Sequence, residues 1–95
     1  MENQLITINA IFSRGTKPIR AKIVCKDNYA ILSADDTKFV KDIYKSEIKQ
    51  GSKVRYNTDY HLLVKKYDNK IAQEIAAELS SQLKNQGATV QVKKE

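Results

Sequence analysis

Cysteine is nearly absent from this chain: Cys25 stands alone among 95 residues, and His61 is the single histidine. A lone cysteine forms no internal disulfide, which points to a reducing compartment. One Cys and one His fall short of the four ligands that a structural zinc site requires. Proline occurs once and glycine three times, which leaves little sequence for long loops or linkers. Gly15, Gly51 and Gly87 are isolated from one another, so neither a Walker phosphate loop nor a dinucleotide fingerprint can be assembled. No apolar run approaches the roughly 20 residues needed to span a bilayer. The first residues include Glu2 and no basic-then-apolar stretch, unlike a secretory signal. The expectation is a cytoplasmic protein without membrane contact, metal or cofactor.

What the chain does have is charge and alternation. Hydrophobic residues at 41% and charged residues at 29% describe an ordinary globular chain, and its length suits one domain. The net charge is +6 and the isoelectric point about 9.5. Summed positive charge of this kind attracts phosphate backbones at long range.

Residues 5–12, LITINAIF, alternate as a strand, with Ile6, Ile8, Ala10 and Phe12 on one face. SRGTKP supplies turn chemistry, with Gly15 free to take positive φ and Pro18 setting the exit. In IRAKIVCK, Ile19, Ala21, Ile23 and Cys25 share one face, and Arg20, Lys22, Val24 and Lys26 the other. KDN turns the chain into a third strand, YAILS, and connections this short make an antiparallel meander. The period then changes. Phe39, Val40, Ile43, Tyr44 and Ile48 recur at helical spacing, Ser33 and Asp36 are placed as a capping box, and Gly51 sits where a C-terminal cap belongs. These signals predict a helix over 36–49.

KVRY and YHLLVKKY, separated by NTD, read as a hairpin or one bent strand. Asp68 or Asn69 is expected to cap a second helix whose stripe is Ile71, Ala72, Ile75, Ala76, Leu79 and Leu83. Gly87 ends that helix, and ATVQVKKE closes the chain as a strand. The order βββ-α-β(β)-α-β predicts an α+β two-layer sandwich: a mostly antiparallel sheet of four to five strands with two helices on one face. The run IAAELSSQLKNQGATVQVK resembles the closing helix–glycine–strand unit of the C-terminal domain of the bacterial ribosomal stalk protein. That resemblance covers about a fifth of the chain and implies a local αβ seam, with no function attached.

No catalytic constellation emerges, because Cys25 falls on the apolar face of its strand and Ser, Asp and Glu are scattered without a nucleophile motif. A non-enzymatic binding protein is expected. Lys38, Lys41, Lys45 and Lys49 lie within about an 80° arc of the first helix, opposite Phe39 and Ile43. Solvation alone would explain such a row. Two further basic groups accompany it: Arg20, Lys22 and Lys26 on the second strand, and Lys53, Arg55, Lys65 and Lys66 interleaved with Tyr56, Tyr60 and Tyr67. Cations that track phosphates beside rings that receive bases suit a nucleic acid, DNA or RNA, held by its backbone with weak sequence selectivity. The expected contacts are Arg20, Lys22, Lys38, Lys41, Lys45, Arg55, Lys65 and Lys66 to phosphates, with Tyr56 and Tyr60 as stackers. The alternative is a protein-interaction module with Leu5, Ile11, Val24 and Leu63 as its apolar centre, acting as monomer or homodimer.

Overall fold

Both periodicities resolve into regular elements in the computed structural model, which describes residues 5–14 and 17–94. In chain order they are β1 (Ile6–Arg14), β2 (Lys17–Lys26), β3 (Tyr29–Ala34), α1 (Thr37–Lys49), β4 (Val54–Asn57), β5 (Leu62–Lys66), α2 (Ala72–Asn85) and β6 (Thr89–Lys94). The strands form one antiparallel sheet in the order β4-β5-β3-β2-β1-β6. The α+β architecture and element order match expectation, but the sheet has six strands because residues 53–67 form a hairpin. Asn57 makes that turn, its side-chain oxygen accepting from the N–H groups of Asp59 and Tyr60, and His61 closes it at φ +53. Glu2 and Gly15 lie outside the described residues. Pro18 is inside β2, paired with Ser13, rather than in a turn.

The β1 alternation works as the pattern requires. Ile6, Ile8, Ala10 and Phe12 are buried beneath the helices, beside Ala21, Ile23 and Cys25 of β2 and Ala30 and Leu32 of β3. Val40 of α1 and Ile75 of α2 are fully buried against them, each contributing about 1.5–3 kcal/mol by removal from water. Phe12 and Phe39 seat α1 on the sheet, with ring centroids 4.9 Å apart.

Helix ends differ from expectation in instructive ways. Asp36 itself is the N-cap of α1, its carboxylate accepting from the N–H groups of Lys38 and Phe39, so Ser33 and Asp36 form no capping box. Gly51 takes φ +79 just past the C-cap Gln50, as predicted. Neither Asp68 nor Asn69 caps α2. Its first N–H, on Ala72, is met by the carboxylate of Asp27 at 2.9 Å, and Glu74 accepts from Ile71 N–H. Ile71 sits at the N-cap position, half exposed, and leaves the stripe to Ala72, Ile75, Ala76 and Leu83, with Leu79 partly buried against the core. No helix among the described residues is long and apolar enough to cross a membrane.

Candidate nucleic-acid interface

Both helices pack on one side of the sheet, so the other side of all six strands is left uncovered by the described elements. Strand register determines what that open face displays, since alternate side chains point to opposite faces. Its central row runs Arg55, Val64, Ile31, Val24, Thr7 and Lys93 from β4 to β6. On one side of this row, Lys66 pairs with Tyr29 and Tyr29 with Lys26. On the other, Ser33 pairs with Lys22, Lys22 with Asn9, and Asn9 with Gln91. Arg20 lies beyond, opposite Ile11, which in turn pairs with Thr89. Neighbouring strands lie about 4.8 Å apart, which makes the face roughly 24 Å wide.

Arg20, Lys22, Lys26, Arg55, Lys66 and Lys93 thus share one surface, and no Asp or Glu projects from any strand onto it. Ion pairs among the described residues are Lys53–Asp68, Lys65–Glu47 and Lys70–Glu78, none of which involves these cations. Asp35, at the end of β3, accepts the backbone N–H of Arg20 at 3.1 Å. Lys26 lies over the Tyr29 ring, 5.9 Å from its centroid. The face therefore combines positive charge that no ion pair among the described residues engages, one half-buried aromatic ring and an aliphatic centre.

Of the residues expected to contact nucleic acid, Arg20, Lys22, Arg55 and Lys66 are brought together here. Lys38, Lys41 and Lys45 are exposed on α1, across the sheet from them. The lysine row and the strand comb are therefore separate surfaces. Lys65 is turned to the helix side, where its ammonium sits 2.6 Å from Glu47 Oε1 with both side chains largely enclosed. An ammonium already held in this way is a poor phosphate ligand. Glu47 of α1 thus answers β5 rather than a lysine of its own helix. Tyr56 is also on the helix side, packed on Tyr44 at 5.8 Å and hydrogen-bonded to His61 Nδ1 at 2.9 Å, so it presents no free face for a base. Tyr60 is in the β4–β5 turn, 74% exposed.

The expected apolar centre shifts as well. Leu63 is buried in the core at 3% exposure, and Leu62, Val64 and Ile31 join Val24 on the open side. The run LLVKK is apolar in both phases, so its pattern alone does not say which leucine faces the helices. Lys26 shares the alternation of Lys22 along β2, whereas Tyr29 and Lys93 become its surface neighbours only through strand pairing.

Cys25 is fully buried, and burial pushes its thiol from 9.0 up to about 11, so it packs as a small hydrophobe. Comparison of the chain with protein-family models, curated proteins and solved structures finds no match.

Proposed function

We propose that this protein is a non-enzymatic binder of single-stranded nucleic acid, which it holds across the open face of its sheet. The observation that carries this reading is the convergence of Arg20, Lys22, Lys26, Arg55, Lys66 and Lys93 on a surface with no strand carboxylate. Cations at the margins suit phosphates, while Tyr29 and the row Val24, Ile31 and Val64 suit the flat, apolar faces of bases. A broad sheet surface cannot enter a duplex groove, so a flexible single strand fits better than B-form DNA. With one aromatic ring on the face, selectivity among bases is weak. The enclosed thiol of Cys25 is in keeping with a reducing compartment, here the cytoplasm.

The test is a titration with labelled single-stranded DNA, single-stranded RNA and duplex DNA at two salt concentrations. Phosphate-led binding weakens steeply as salt rises. An absence of binding to either single strand at low salt overturns the proposal.

One observation favours a second reading, a protein partner with an acidic rim. The row Val24, Ile31 and Val64 crosses three adjacent strands and is only half-buried. A protein interface would place its energy there, and Ile31→Asp would abolish it. Nucleic-acid binding would respond chiefly to Lys22 and Lys66.

A further inference from the structure

The sheet ends in two unequal borders: β4 offers four residues at one, and β6 offers six at the other. No described strand lies beyond β6, and no described backbone group hydrogen-bonds to its outer edge. In an antiparallel ladder the N–H and C=O of one residue point to the same neighbour. Every second residue of Thr89–Lys94 therefore turns an unpaired donor and acceptor outward. Such an edge is a template for one more strand, whose backbone supplies affinity and whose alternate side chains supply selectivity.

Side chains along this border define what the added strand must carry. Val90, Val92 and Lys94 lie on the helix side, in register with the buried Ala10, Ile8 and Ile6. A groove of about 280 Å³ adjoins them, lined by Gln73, Ala76, Ala77 and Ser80 of α2, Val92 and Lys94 of β6 and Ile6 of β1. Val92 shares the face of the core yet is 48% exposed, because no strand covers its outer flank. No Asp or Glu lines the groove, and neither Lys93 nor Lys94 belongs to an ion pair among the described residues. A second copy would bring its own charge of +6 to this positive border, whereas an acidic segment is attracted to it.

We infer that β6 takes up an extended acidic segment of a partner protein as an added antiparallel strand, the orientation of every other pair in this sheet. Register then dictates the order of its side chains. Two carboxylates stand opposite Lys94 and Lys93, an apolar side chain opposite Val92 beside the groove, a polar one opposite Gln91 and a second apolar one opposite Val90. The inference does not rest on the nucleic-acid reading, since Val92 and the groove are on the helix side.

Amide NMR of the full chain with the peptide acetyl-EEVTVT-amide tests it, against KKVTVT with the same ends. The acidic peptide should shift the signals of residues 89–94 and of Ala76, Ala77 and Ser80, and leave those of β4 unmoved. KKVTVT should bind about tenfold more weakly, as two ion pairs turned into like-charge contacts imply, and Lys93→Glu with Lys94→Glu should invert the preference. Two forms of the acidic peptide, methylated on alternate sets of backbone nitrogens, separate strand addition from charge attraction: one should lose binding and the other keep it. Unmoved signals at residues 89–94 with millimolar acidic peptide overturn the inference, and so does an equal response to the two methylated forms. Equal affinity for EEVTVT and KKVTVT overturns the acidic assignment.

Discussion

Asp27 and Ala72 are 45 positions apart, yet the carboxylate of the first accepts the backbone N–H of the second at 2.9 Å. Around this bond the β2–β3 turn fastens the approach to α2. Asn28 exchanges hydrogen bonds with Lys70 and accepts from Tyr67 N–H, and its φ of +71 is the left-handed geometry that asparagine tolerates. Asp27 thus acts as a cap supplied from another part of the chain. Asp27→Ala should lower stability by about 1 kcal/mol, in the range of a lost N-cap, and Asp27→Asn by less. Urea denaturation measures both.

The Lys65–Glu47 pair joins β5 to α1 in a largely enclosed setting, unlike Lys53–Asp68, which is exposed on both sides. Glu47→Ala should cost about 2 kcal/mol, because it leaves an ammonium partly buried without its partner. Replacing both residues, as Glu47→Leu with Lys65→Met, should be nearly neutral. A double-mutant cycle in denaturant would expose the coupling, and additive losses would contradict it.

Charge reversal separates the two basic surfaces. Lys22→Glu with Lys66→Glu should abolish most single-strand binding, and Lys41→Glu with Lys45→Glu should leave it within about twofold. Milder Lys22→Gln and Lys66→Gln changes should reduce the slope of log affinity against log salt by about 0.7 for each lost phosphate contact. All of these positions are exposed, so thermal stability should change by well under about 1 kcal/mol.

Alkaline stability reports on Cys25. Its folded-state thiol titrates near 11 against 9.0 ordinarily, so the folded protein keeps a proton that the unfolded chain releases. The contribution is complete below pH 9 and is lost as pH rises toward 11. Tyr67, also raised by burial, adds a loss of the same sign. Measured stability between pH 9 and 11 should therefore fall, and fall less in Cys25→Ala. The native thiol should react with a disulfide reagent only as fast as the domain opens.

Much of this fold could be read from local pattern. The alternation of Ile6, Ile8, Ala10 and Phe12 and the spacing of Phe39, Val40 and Ile43 named the buried faces correctly, because each element buries a single side. What failed was set by long-range geometry. The cap of α2 comes from Asp27 and not from adjacent Asp68, and no short window contains both partners. LLVKK is apolar on both faces, so the roles of Leu62 and Leu63 depend on pairing with β3. The candidate surface was half legible for the same reason. Composition announced the positive charge, but only the register of six strands separates Lys22 from Lys41 and unites it with Lys66.

β1 is flanked by β2 on one edge and on the other by β6, which follows every other described strand in the sequence. Until β6 arrives, the stretch ITINAIF presents an unpaired edge with no charge and no proline, the composition that templates cross-β stacking. β6 pairs along that stretch from Ile6 to Ile11 and brings Lys93 and Lys94 to the new edge. It serves as a gatekeeper strand, turning a sticky border into one that repels further copies. A chain ending before Thr89 should keep much of its helical content and form thioflavin-binding fibrils.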